Sequence, residues 1–198
     1  MAKYTGYVTL PIESYTNWKN AVNGNGYDVD SSYGCQCWDL ASEFWWNVGF
    51  PQNYPIITSS SAYTMWENRQ QNIGYNGTIY FDLITSVNDI QLGDIVVFNY
   101  NSTNPYGHVG FADTNYSSWT PDPSQPYEFP VLSENNGGTP DPSGGAYTNV
   151  HGYDIRLFLG AFRYREWHTT PPTPPSQSKS KFPFVLYARR LRNKQQGL

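Results

Sequence analysis

Residues 36–48 read Gln36-Cys37-Trp38-Asp39-Leu40-Ala41-Ser42-Glu43-Phe44-Trp45-Trp46-Asn47-Val48. Cys37, Leu40, Ala41, Phe44 and Val48 recur at helical spacing, so this stretch predicts an amphipathic helix. Gly49 and Pro51 stop it. Upstream, residues 1–27 are polar and Gly/Asn-rich, with a short helix predicted around Ser14–Val22. A second helix is predicted over Ser61–Gln70. Beyond it the period changes. Ile95–Tyr100, introduced by the turn Leu92-Gly93-Asp94, reads as a strand, as do Val109–Ala112, Pro130–Ser133 and Leu157–Tyr164. The loops between them, notably Ser117–Pro126 and Asn135–Gly145, are rich in Gly, Pro and Asn. Helices first and antiparallel strands afterwards give an α+β fold class.

Composition agrees. Charged residues make up only 14% of the 198 residues, while aromatics reach 17% with 17 Tyr and 7 Trp, and Gly and Pro number 17 and 15. That mixture suits a loop-rich α+β or mainly β domain and excludes a helical bundle. No stretch approaches the roughly 20 consecutive apolar residues of a membrane span. The start, MAKYTGYVTLPIESY, lacks an apolar core and a small-residue cleavage site, so synthesis is expected to leave the chain in a cytoplasm. Net charge is −4 but uneven. All the acids lie within 1–178, whereas Lys179, Lys181, Arg189, Arg190, Arg192 and Lys194 form an acid-free end. An acidic body excludes nucleic acid as the main partner, because phosphate contacts need Lys and Arg. The organisation read from this is a body over 1–166, a Pro-rich linker over 167–181 containing TTPPTPPSQS, and an apolar then basic tail over 182–198.

The chemistry begins with two cysteines. Cys35 and Cys37 are one residue apart, too close for an unstrained disulfide. Cys37 falls in the first turn of the predicted helix, where free N–H groups and the helix dipole favour a thiolate nucleophile. Taken alone it would be an inert packed cysteine. His108, in Tyr106-Gly107-His108-Val109-Gly110-Phe111, opens a strand and could accept the thiol proton and return it to a leaving amine. Alone it would be an ordinary surface histidine. Glu134, in Val131-Leu132-Ser133-Glu134-Asn135-Asn136, ends the next strand, where an acceptor could hold the His108 ring in one tautomer. By itself it would be a solvated loop glutamate.

Taken together, these segments resemble the CHAP family (cysteine, histidine-dependent amidohydrolases/peptidases), a branch of the papain-like and NlpC/P60 hydrolases. The matching pieces are Gln36-Cys37-Trp38-Asp39-Leu40, Leu92-Gly93-Asp94-Ile95-Val96, Gly107-His108-Val109-Gly110 and Ser133-Glu134-Asn135-Asn136, covering about residues 10–166. The resemblance implies a papain-like fold with N-terminal helices packed on an antiparallel sheet. It implies Cys37 as nucleophile, His108 as base, Glu134 as orienting acid and Asn136 as a fourth polar residue of the site. Cys35 has no counterpart and reads as packing. The implied activity is cleavage of an amide bond in the stem peptide of bacterial peptidoglycan, as an amidase or endopeptidase. The implied setting is a phage virion, with tail proteins met through the C-terminal tail, or an endolysin made in the host cytoplasm. A non-catalytic structural or adhesive tail module and a cysteine protease acting on protein are the alternatives.

A second motif precedes the nucleophile. Asp28, Asp30, Ser32, Gly34 and Asp39 place oxygen donors at loop spacings similar to an EF-hand calcium loop, although the glycine falls one position late and the last ligand is Asp. Some CHAP domains of phage lysins carry calcium in this segment, so Ca2+ is the expected cofactor, in a structural role. The alternative is a polar turn and helix cap with clustered acids. Trp38, Trp45, Trp46, Trp66 and Trp119 are candidates for lining a sugar-peptide groove, although most read better as core or loop packing, and Trp119, in a polar Pro-rich loop, is the one expected to be exposed. His151 and His168 have no partner motif.

Overall fold

The computed structural model describes residues 2–52 and 61–168. The sequence assigned to the tail, including the Pro-rich spacer from 169 and the run Phe182–Ala188, lies outside the described residues. Strand β1 (Lys3–Thr5) pairs in parallel with β2 (Gly26–Asp28), and helix α1 (Tyr15–Val22) connects them. α1 starts where expected, because Ser14 Oγ accepts the N–H of Asn17 and satisfies one open donor of the first turn. It buries Tyr15, Trp18 and Val22, one stripe of a helix.

Helix α2 (Cys37–Val48) fulfils the amphipathic pattern and ends at Gly49, whose φ of 122° only glycine adopts freely. Phe44 is its anchor. Fully buried, it meets Trp18 at 4.9 Å, Phe111 at 5.2 Å, Tyr164 at 5.4 Å and Trp167 at 4.8 Å between ring centroids. The helix predicted over 61–70 is broken into α3 (Thr64–Glu67) and α4 (Arg69–Asn72). Asn68 stands at the break, with its side-chain amide donating to the Thr64 carbonyl at 3.0 Å.

The remaining strands are a hairpin, β3 (Gly74–Tyr75) with β4 (Thr78–Ile79), then β5 (Phe81–Ile84), β6 (Ile95–Phe98), β7 (His108–Ala112), β8 (Glu128–Ser133), β9 (Asn149–Asp154) and β10 (Phe158–Tyr164). The last six form one antiparallel sheet in the order β5-β10-β6-β7-β8-β9. β5 and β9 were not foreseen. β9, Asn149-Val150-His151-Gly152-Tyr153-Asp154, is too polar to read as a strand, yet it pairs along all of β8. Pro130 sits within β8, and its carbonyl accepts from Asp113.

The sheet has two buried faces. Val97, Val109, Phe111 and Leu132 join the core under α1 and α2, while Val96, Phe98, Ala112, Phe129 and Val131 form a second cluster on the other side. Asp94, in the turn before β6, is fully buried and receives Arg163 on both oxygens (2.9 and 2.7 Å), which ties β6 to β10. The body extends past its expected boundary at 166. A short C-terminal turn, α5 (Arg165–His168), carries Trp167, whose indole N–H donates to the Ile12 carbonyl and whose ring packs on Phe44. Trp119 is half-buried against Phe129 and Tyr116 and is not the exposed tryptophan expected.

Because Phe44 joins both helices, the sheet and Trp167, truncating it leaves a cavity that no neighbour can fill alone. Phe44→Ala is expected to lower unfolding free energy by about 4 kcal/mol in denaturant titration, with Phe44→Leu recovering most of it. A loss below about 1 kcal/mol would show that the site collapses freely.

Candidate active site

Cys37 is the first residue of α2, as the sequence implied, and is partly exposed. What precedes it is held tightly. Gln36 donates its backbone N–H to Asp39 Oδ2 (3.0 Å), its side-chain amide donates to the Tyr33 carbonyl (2.8 Å), and its Oε1 accepts from Asn135 (2.7 Å). The β7–β8 ladder pairs only Phe111 with Leu132 and Ala112 with Val131. Beyond its end, the backbone N–H of Val109 lies near enough to the Cys37 sulfur to favour its thiolate. The thiol therefore sits at the residue next to His108.

His108 is buried at the start of β7. Gly107 before it adopts φ +68°, and a Cβ there would lie 2.6 Å from the Phe98 carbonyl. Only glycine lets the chain turn so closely into the strand. The imidazole stacks face to face on Tyr153 of β9, at 4.5 Å and 10° between planes. Its Nε2 lies 2.9 Å from Ser133 Oγ. Nδ1 has no hydrogen-bond partner among the described residues.

Glu134 does not make the contact expected of it. Its carboxyl is fully buried but accepts from the Tyr27 backbone N–H (2.6 Å) and the Thr148 hydroxyl (3.2 Å), and its Oε2 is without a partner among the described residues. Successive strand residues face opposite sides, so Ser133 shares the side of His108 while Glu134 shares that of Leu132. Asn136 is half-buried, and its Nδ2 finds no partner among the described residues. Tyr153 and Ser133 were not identified from sequence. A tyrosine in a polar segment gives no signal until β9 is laid beside β8.

Burial works against the thiolate that a helix start favours. Burial pushes the Cys37 thiol up to about 12, and the Val109 amide and the first turn of α2 offset this only in part, with Asp39 and Glu134 nearby adding to the rise. Burial likewise pushes His108 down to about 3. Desolvation thus works against the helix dipole, disfavouring the thiolate on Cys37 and the imidazolium on His108. Cys35 is fully buried, its thiol near Asp141 Oδ2 at 3.4 Å. It is packing, as expected, with an acidic neighbour.

Of the five predicted metal ligands, the three carboxylates come together. One oxygen each of Asp28, Asp30 and Asp39 lie within 4.8 Å of one another. Ser32 gives its N–H to Asp30 Oδ1, and Gly34 supplies a turn at φ +72°. Lys3 pairs with Asp28 Oδ2 (3.0 Å) and Asp141 (2.8 Å). Asp28 Oδ1 stays buried without a hydrogen-bond partner among the described residues, and burial with the neighbouring acids pushes Asp39 up to about 8. Both features fit a cation site. His151 is exposed, and His168 is half-buried with Nε2 at 3.6 Å from Asp94.

A partly exposed thiol at the start of a helix, beside Val109 of an antiparallel strand that opens with a buried imidazole, is the arrangement of a papain-like α+β protein. The chain belongs to the CHAP domain family, whose model matches residues 15–120 and so includes both Cys37 and His108. It is 35% identical over 106 residues to a protein of Streptococcus phage B30 named D-alanyl-L-alanine endopeptidase. That match takes in 52% of this chain and 22% of the relative's length. Among solved structures, a wild-type endolysin, LysIME-EF1, superposes with a TM-score of 0.51 at 19% identity, covering 78% of this chain and 64% of its own.

A disfavoured thiolate predicts an ultraviolet signature in calcium-free buffer. The difference spectrum between wild type and Cys37→Ser should show no thiolate band at neutral pH, and the band should grow only in the alkaline range. A full thiolate band at neutral pH would mean that the pair rests as ions.

Proposed function

We propose that this chain is the catalytic part of a phage peptidoglycan hydrolase that cleaves an amide bond of the stem peptide, with Cys37 as nucleophile and His108 as base. The observation that carries this reading is the Cys37 sulfur near the Val109 amide, beside a His108 whose Nδ1 is unengaged. The B30 relative, named an endopeptidase, favours a bond between amino acids over the amide that joins muramic acid to the peptide.

On this reading His108 takes the thiol proton as sulfur attacks the carbonyl carbon, so that charge appears only as the bond forms. The first-turn N–H groups of α2 face the developing oxyanion. The C–N bond then breaks, and the imidazolium gives its proton to the departing amine. Water, deprotonated by His108, releases the thioester. Exposed tyrosines flank both reacting groups, Tyr33 before Cys37 and Tyr100 and Tyr106 before His108, and suit contact with a sugar-peptide strand.

Asp28, Asp30 and Asp39 would hold a divalent cation such as calcium. Its role would be to cross-link β2, the following loop and the start of α2, and so to hold the residue that follows Gln36 in place.

Two outcomes follow. Cys37→Ala should abolish solubilisation of purified sacculi while melting as wild type does. His108→Ala should lose about 10³-fold, and the double variant no more than Cys37→Ala alone, because the pair acts as a unit. Cys35→Ser should retain most activity. Release of peptides from casein in place of sacculi, or an active Cys37→Ala, would overturn the assignment. Calcium should raise the melting temperature, equivalent to about 2.7 kcal/mol at a hundredfold excess over Kd, with EDTA reversing it and Asp39→Asn abolishing it. A calcium-indifferent melting curve would remove the cation.

A further inference from the structure

The imidazole of His108 is held on a hydroxyl where the family pattern leads one to expect a carboxylate. Ser133 is fully buried, and its Oγ has no hydrogen-bond partner among the described residues other than His108 Nε2, at 2.9 Å. The fold makes room for this contact. Continuing the β7–β8 register sets Gly110 opposite Ser133, and a Cβ at position 110 would come within 2.7 Å of the Ser133 Cβ. A larger residue there would push Ser133 away from the ring. The ring's face is fixed as well. Tyr153 stacks on it, and Asn104 donates both to the Tyr153 hydroxyl (3.3 Å) and to the Gly107 carbonyl (2.8 Å), locking the stack to the turn that delivers His108.

We infer that Ser133 is the positioning residue of this site: its Oγ accepts the Nε2–H of His108, which leaves Nδ1 as the bare nitrogen that takes the Cys37 proton. The inference rests on the reading of Cys37 and His108 as the reacting pair. Glu134 has a different task, receiving the Tyr27 backbone N–H and tying β2 to the end of β8. A hydroxyl selects the tautomer as a carboxylate would, but it adds no negative charge to favour an imidazolium. That agrees with a histidine kept neutral at rest. The opposite arrangement, Ser133 donating to Nε2, would put the proton on Nδ1 and leave no base toward the thiol.

The test reads the tautomer directly, by nitrogen NMR of imidazole-labelled full-length protein, with the His108 signal assigned from its loss in His108→Gln. Wild type should show the Nε2–H tautomer. Ser133→Ala should show a tautomer mixture and solubilise sacculi about tenfold more slowly, at an unchanged melting temperature. Ser133→Thr, which keeps the hydroxyl, should restore both readouts, and it decides the matter if the alanine variant does not fold. Glu134→Gln should leave the tautomer unchanged. An Nδ1–H tautomer in wild type overturns the inference. So does a Ser133→Ala protein with wild-type tautomer and rate, or a tautomer lost in Glu134→Gln instead. The NMR readout needs no substrate, so failure of the hydrolase reading would show separately, as an active Cys37→Ala.

Discussion

The packing of α2 across the sheet is the contact on which the rest of the molecule depends. Phe44, two turns into the helix, fixes its height and rotation against Phe111, Trp18 and Trp167. With that anchor set, Cys37 at the helix start can only lie at the end of the β7–β8 ladder, beside Val109. One apolar side chain thus determines where the sulfur sits, although it is far from any chemistry. The tight packing of aromatic rings suits this purpose, because interiors of crystal-like density transmit position with little slack.

Around that contact the site is assembled from pieces distant in sequence. The loop before Cys37 is held by Asn135 through Gln36, and by Asp39 from within the helix itself. The imidazole is held by Ser133 on its edge and by Tyr153 on its face. Polar atoms left over, Asp28 Oδ1 and Glu134 Oε2, sit where acids crowd beneath the same loop. Such crowding raises the energy of a negatively charged loop unless a proton or a cation relieves it. Lys3 relieves part of it by bridging Asp28 and Asp141, so the first strand also takes part in shaping the site.

Burial governs the chemistry of the resting pair. A helix start favours a thiolate, but that gain is of order 1 kcal/mol at an exposed surface, and desolvation of a charge in a tight interior costs more. Acids crowded nearby add to that cost and disfavour a thiolate on Cys37 further. In this arrangement the base must be correctly oriented before it is charged, and tautomer selection at His108 becomes the point of control.

Sequence alone determined the α+β class, helix α2 and its stop, and the four strand cores β6, β7, β8 and β10, and it singled out Cys37 and His108 as the candidate pair. These follow from short-range patterns: helical spacing, apolar runs bounded by turns, and residue types with reactive groups. It also drew the three acids into one proposed cluster, since a loop and a helix start bring nearby residues together. Only the tertiary structure decided which residue holds His108. Ser133 and Glu134 are neighbours with opposite facings, and the side that faces the imidazole is set by the register of β8 against β7. β9, with Tyr153, was illegible for the same reason: its residues alternate weakly, and pairing with β8, not local preference, makes it a strand. The surroundings of Cys37 were likewise a tertiary matter, because the dipole of a helix is written in the sequence and the packing around its first residue is not.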